Sequence, residues 1–271
     1  YARNSYQLRC PLCRNEGRCN LLCADDVRAV IEEETTGNVA AFIAEPIQGV
    51  GGFVEAPYGY FERVKSILDE TGVLLISDEV QTGFGRTGDH FWGIDAFDVE
   101  PDMIVMAKGL GNGLAIGAVV GRAEVVESVA PNLHLSTFGG NPISTAGALA
   151  NINYVLDNDL QTNAHEVGTH LKDRLLKMAV DHPTIAEVRG RGLMLALELT
   201  GEGLVPDPAA ANRFLEACRA RGLLIGKGGL KANTIRISPP LVITREAADE
   251  AADIMEEALV EVEAGTRERV G

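Results

Sequence analysis

The run Val73-Leu74-Leu75-Ile76-Ser77-Asp78-Glu79-Val80-Gln81-Thr82-Gly83-Phe84-Gly85-Arg86-Thr87-Gly88 decides the fold. Four apolar residues and a serine read as a short buried strand, which stops at two carboxylates and a glycine-broken loop. Just upstream, Pro57 opens an amphipathic helix: Phe61, Val64, Ile67 and Leu68 follow helical spacing and Gly72 closes it. Before that helix, residues 39–44 read as another buried strand, ending at Glu45-Pro46. Strand, helix and strand predict two parallel strands joined by a right-handed crossover, the unit of an α/β fold.

The same signals extend outward. Asp25 is placed to cap a helix running to about residue 35, which Gly37 stops. Strands are expected at 103–107 and 115–120, with Gly109, Gly111, Gly113 and Gly117 marking tight backbone between them. Asn141-Pro142 starts a long helix through Ala146, Leu149, Ile152 and Val155. Near residue 157 the texture changes. A polar helix (160–180), a strand (193–199), a helix (209–221), strands at 223–225 and 234–237 and a terminal helix (245–263) follow. Two domains are expected: 1–157, a partial large domain with an irregular Cys-rich lead-in over 1–24, and 158–271, a small C-terminal α+β domain.

Composition sets bounds on function. In 271 residues, 46% hydrophobic and 23% charged composition is ordinary for a globular chain and excludes wholesale disorder. Apolar runs are too short to span a bilayer as a helix. The net charge of −15 repels phosphate backbones and anionic lipids, so neither nucleic acid nor membrane is an expected partner. The start, Tyr1-Ala2-Arg3-Asn4, has neither an initiator Met nor an apolar signal core, and a cytoplasmic protein is expected. Cys10, Cys13, Cys19 and Cys23 are spaced C-x2-C-x5-C-x3-C, which invites a zinc reading. The intervening loops are shorter than in common zinc frameworks and no second C-x-x-C follows. Incidental free thiols, and no metal, are the expectation.

In open α/β sheets ligands sit at the carboxyl ends of strands. Glu45, Asp78 and Lys108 fall at such ends. Lys108, leaving an apolar strand just before spaced glycines, suits a Schiff-base lysine, with desolvation expected to tune its amine and bare backbone making room for a flat cofactor. Asp78 at a neighbouring strand end suits a carboxylate that keeps a pyridinium nitrogen protonated.

With these residues in place, the chain resembles the class III pyridoxal-phosphate-dependent aminotransferases. The resemblance rests on 78–88, on Glu45-Pro46-Ile47-Gln48-Gly49, Met106-Ala107-Lys108-Gly109, Ser136-Thr137-Phe138-Gly139-Gly140-Asn141-Pro142 and Arg236-Ile237-Ser238-Pro239-Pro240-Leu241, in order, and covers roughly 24–264. It implies the fold type I of pyridoxal-phosphate-dependent transferases, with a mostly parallel sheet in the large domain, and pyridoxal 5′-phosphate as cofactor. Lys108 would bind the cofactor and carry the proton between substrate carbon and cofactor C4′. Asp78 would pair with the pyridine nitrogen, Val80 pack on the ring and Gln81 bond near the 3′ oxygen. Thr137 would reach the phosphate of a neighbouring subunit, implying a homodimer with shared sites, and Arg236 would grip a substrate carboxylate.

Two departures shape the reading. The family's N-terminal phosphate loop and stacking aromatic have no counterpart in 1–38, so the phosphate cup is expected to be incomplete. Ornithine- and 4-aminobutyrate-type members carry an acidic residue where this chain has Val50, so Arg236 is expected to stay open to carboxylates. That points to the alanine–glyoxylate and β-amino acid:pyruvate branch. A mutase or decarboxylase of the same fold, or an inactive homologue acting as a dimerising or binding protein, are the alternatives. The glycines 109, 111 and 113 fail the dinucleotide fingerprint by one position. Five histidines show no metal spacing, and Trp92 is expected in the core.

Overall fold

The computed structural model describes residues 1–13, 19–130 and 133–267, and backbone only at 265–267. Part of the irregular lead-in expected over 1–24 (residues 14–18) lies outside the described residues. The chain divides into two compact units. The first comprises 1–47, 55–84 and 90–158; the second comprises 48–54, 85–89 and 159–271.

The first unit contains α1 (Leu22–Glu33), β1 (Ala41–Ala44), α2 (Tyr60–Thr71), β4 (Leu74–Asp78), β5 (Met103–Met106), β6 (Ala118–Gly121), α3 (Ala123–Val126) and α4 (Pro142–Asp157). Between β1 and α2, the short strands β2 (Ile47–Gln48) and β3 (Val54–Glu55) pair where the chain leaves this unit and returns. The main sheet has the order β1-β4-β5-β6. β1, β4 and β5 run parallel, with Ala44 opposite Ser77 and Asp78 opposite Val105; β6 runs antiparallel to β5. The parallel pair predicted around α2 is therefore present.

Helix α2 buries the residues its periodicity marked. Phe61, Val64, Ile67 and Leu68 join Leu75 of β4 and Val27 and Ile31 of α1 in one cluster. Its C-terminal Gly72 adopts φ 70°, a left-handed stop that a residue with a Cβ takes only with strain. α1 corrects the capping expectation. It begins at Leu22, and Asp25 lies in the first turn, bonded to Arg63 at 2.8 Å. Cys23 and Ala24 are fully buried, so packing carries the helix back past the polar residue that would have started it. Asn141 does cap α4, accepting the Ser144 N–H at 2.9 Å. Asp102, buried ahead of β5, accepts the Leu75 N–H at 2.8 Å and pairs with Arg122, tying the starts of β4 and β5 to the end of β6.

The second unit contains α5 (Leu160–Asp181), β7 (Ile185–Arg191), β8 (Met194–Leu199), α6 (Pro208–Ala220), β9 (Gly226–Gly228), β10 (Thr234–Ile237) and α7 (Arg245–Arg267). Its sheet is antiparallel throughout, in the order β7-β8-β10-β9. β7 is not foreseen by apolar periodicity. Its charged residues sit in the sheet because Arg189 is buried against Glu198 at 2.8 Å and also pairs with Glu187. The strand expected at 223–225 forms instead at 226–228, where the glycine-rich backbone pairs with β10. Leu171, Leu175, Phe214, Met255 and Leu259 from the three helices close over Leu195 and Leu197. Among the described residues no helix is long and apolar enough to cross a membrane.

Candidate active site

Asp78 ends β4 and Lys108 lies two residues past β5, at the carboxyl ends of these adjacent parallel strands. The loop after β4 is fixed by Glu79, a fully buried carboxylate to which the sequence reading gave no role. It accepts the N–H groups of Gly93 (2.9 Å) and Ile94 (2.8 Å) and the hydroxyls of Thr82 (2.5 Å) and Ser77 (3.2 Å). Its own N–H donates to Val105 O of β5 at 2.9 Å. Four donors to one desolvated carboxylate leave little freedom in the turn that carries Asp78, Val80 and Gln81. Asp78 Oδ1 accepts the Val80 N–H at 3.0 Å, and its second oxygen has no partner among the described residues. Val80 and Gln81 are both half-buried.

Lys108 has φ 34°, a left-handed conformation that costs a residue with a Cβ about 1 kcal/mol or more. Its carbonyl holds it there by accepting from Gly111 (3.1 Å) and Asn112 (2.9 Å). Asn151 of α4, also missed from sequence, donates to Gly109 O at 2.7 Å. A Cβ at Gly109 would approach Phe84 Cδ2 at 3.2 Å, so the Phe84 ring would have to give by a few tenths of an ångström. The Lys108 amine makes no hydrogen bond or ion pair among the described residues. Its side chain is exposed, which corrects the expectation of a desolvated amine: the glycines that follow lay no side chains over it. Thr137 is exposed in the loop before α4, whose turn is held by Gly139 N–H to Ser136 Oγ at 2.9 Å. Trp92 is half-buried and packs edge-on to Phe84 and Phe91.

Arg236 belongs to the second unit, on β10 between Ala196 of β8 and Gly226 of β9. Its guanidinium lies 5.5 Å from the centroid of Phe53, a cation–π contact. No carboxylate pairs with it among the described residues, and its Nε is buried without a hydrogen bond. Val50 is exposed, and its carbonyl accepts the Gly229 N–H at 3.0 Å. Residues 48–54 are further fastened to this unit by Arg189, whose Nε donates to Gly52 O at 2.8 Å. Phe53 under the guanidinium is the partner that sequence reading missed; nothing in a lone aromatic marks it.

An unpaired amine and a half-open carboxylate on neighbouring strand ends are the groups that a pyridine aldehyde requires: one to bond its carbonyl carbon, one to hold its ring nitrogen protonated. Residues 3–259 match the family model of the class-III aminotransferases, and the chain belongs to that family. It is 43% identical over 235 residues to alanine–glyoxylate aminotransferase 2 homolog 2, mitochondrial, of Arabidopsis thaliana, covering 86% of this chain and 49% of that protein. It is equally 43% identical over 264 residues to the leucine/methionine racemase of Thermococcus litoralis, covering 97% and 59%.

Among solved structures, a transaminase from directed evolution by ancestral reconstruction superposes with a TM-score of 0.88 at 34% identity, over 97% of this chain and 60% of that one. The Toxoplasma gondii ornithine aminotransferase, described with partial occupancy of PLP at its active site, gives 0.81 at 34%, over 90% and 55%. The fold is that of the type I pyridoxal-phosphate-dependent transferases. The chain spans about half the length of the curated relatives it matches.

Proposed function

We propose that this protein is a pyridoxal 5′-phosphate-dependent transaminase that moves an amino group from alanine or a β-amino acid to a 2-oxo acid such as glyoxylate or pyruvate. The observation that carries the reading is Lys108, strained and unpaired at the end of β5, with Asp78 at the end of adjacent β4. The cofactor, when bound, supplies a carbonyl for the amine and an electron sink for the charge left on the substrate carbon. Lys108 would carry a proton between the substrate carbon and cofactor C4′. Asp78 would hold a proton at the pyridine nitrogen, Val80 would pack on the ring and Gln81 would bond near the 3′ oxygen.

Arg236 takes the substrate carboxylate. This is supported by the absence of a carboxylate partner among the described residues and by Val50, which offers no charge to compete with the substrate. Thr137 reaches the phosphate of a second copy in a homodimer. The exposed apolar side chains Leu135, Phe138 and Ile143 around it support a surface that a second copy covers.

The test is absorbance with added pyridoxal 5′-phosphate, followed by assay with alanine and glyoxylate. A near-visible band bleached by borohydride, together with pyruvate formation, is expected. Absence of a band would support the alternative of an inactive homologue acting as a dimerising or binding protein. A racemase is the second reading, favoured by the similarity to the Thermococcus enzyme over nearly the whole chain. Loss of optical activity without 2-oxo acid formation would select it.

A further inference from the structure

Two arginines of the antiparallel sheet are held in opposite ways. Arg189 of β7 is buried and pairs with Glu187 and Glu198, and its Nη2 donates to Thr234 Oγ1 at 3.2 Å. Arg236 of β10 meets no carboxylate among the described residues and lies over an aromatic ring instead. A carboxylate would hold a guanidinium still, but it would also neutralise it and occupy its donors. A ring face attracts the same cation and leaves its charge and its N–H groups available.

The ring belongs to Phe53, which is buried and has φ 53°. A residue with a Cβ keeps that left-handed backbone only where its surroundings fix it. Here the Gly52 and Phe53 N–H groups both turn back to Gly49 O, at 3.2 and 3.4 Å. Arg189 Nε then pins Gly52 O at 2.8 Å. The paired arginine thus fixes the loop that carries the ring of the unpaired one. β9 adds only backbone beside Arg236: a Cβ at Gly228 would come within 2.8 Å of its Cδ and 2.9 Å of its Nε. Gly228 therefore makes room for the side chain. The Nε is buried without a hydrogen bond, which leaves the two Nη groups as the donors for a ligand.

We propose that Phe53 is a positioning residue for Arg236, and that its ring, with the space left by Gly228, holds the guanidinium in place without neutralising it. The inference rests on the reading of Arg236 as the group that takes the substrate carboxylate. A short 2-oxo acid then meets a cation that is already ordered and has no competing anion.

The experiment titrates pyruvate into the purified chain while the Arg236 Nε–H signal is followed by NMR, assigned by its absence in Arg236→Gln. In the unsubstituted chain the signal should be displaced by the Phe53 ring current and should move saturably with pyruvate. Phe53→Leu should return it toward the ordinary arginine position and weaken pyruvate binding about 3- to 30-fold. Gly228→Ala, which displaces the arginine and leaves the ring, should weaken binding by a similar factor. Circular dichroism and the unfolding temperature separate a lost subsite from a lost fold, and Gly228→Ala decides if Phe53→Leu does not fold. Unchanged pyruvate affinity in either folded variant overturns the proposal, as does an undisplaced Arg236 signal in the unsubstituted chain. If pyruvate leaves the Arg236 signal of that chain unmoved, the carboxylate reading of Arg236 itself fails, and this inference with it.

Discussion

In the second unit every residue of β8 is buried, and helices α5, α6 and α7 close over Leu195 and Leu197 until both are fully covered. In the first unit β6 leaves Val119 and Val120 more than half exposed, and Leu135, Phe138 and Ile143 stand open nearby in sequence. Both units are sheets packed with helices. Both bury an apolar core, but among the described residues more large apolar side chains stand exposed in the unit that holds Lys108 and Asp78. Burial is what stabilises, at roughly 25 cal/mol per Å² of apolar surface removed from water.

The largest effect should come from the open unit. Lys108→Ala is expected to reduce transamination by about 10³-fold or more and to abolish the borohydride-sensitive band. Its unfolding midpoint should stay within error, since the side chain is exposed and makes no hydrogen bond or ion pair among the described residues. Turnover that survives the substitution would remove Lys108 from the chemistry.

The closed unit should answer in stability. Leu195→Ala, at a fully buried position of β8, is expected to cost about 2–5 kcal/mol by denaturant unfolding. A loss below 1 kcal/mol would mean that this core is not as tightly closed as its burial implies.

Arg236→Gln sharpens the contrast from the binding side. Losing a charge-assisted bidentate contact worth roughly 1.5–3 kcal/mol should raise KM for glyoxylate or pyruvate about 10- to 150-fold, with the band intact. An unchanged acceptor KM, or ornithine outcompeting alanine as donor, would refute the carboxylate assignment.

A smaller effect concerns pH. Burial pushes the Asp102 carboxyl up, but the Leu75 N–H and the Arg122 guanidinium outweigh it and hold it below its ordinary value. Its contribution is therefore present above the unfolded carboxylate range near 4 and is lost as pH falls through the lower folded value. Asp102→Asn should cost about 1–3 kcal/mol at pH 7 and progressively less in acid. A pH-independent difference would assign the loss to packing alone. Smallest of all, Val119→Ala on exposed β6 should change stability by less than about 0.5 kcal/mol.

Much of the scaffold was legible because its signals are local. The apolar spacing of α2, the Gly72 stop, the Asn141-Pro142 start of α4 and the limits of β10 depend on residues within a turn or two of one another. Asp78 and Lys108 at strand ends follow from the same periodicity. What escaped depends on partners distant in sequence. Arg189 makes β7 a strand because Glu198 meets it across the sheet. β9 forms three residues later than its apolar residues suggest because its backbone pairs with β10. Glu79 and Asn151 become positioning groups only when the chain brings Gly93, Ile94 and Gly109 to them.

The sequence by itself determined the α/β class, the order of the motifs and the residue types available for chemistry. These are properties of periodicity and of side-chain identity. The tertiary structure alone decided that Lys108 is left-handed and exposed, that Arg236 lies against Phe53 with no carboxylate partner among the described residues, and that four cysteines share one cavity. Each of those is a matter of what a side chain meets, and long-range packing and hydrogen bonding fix that only once the whole fold has closed.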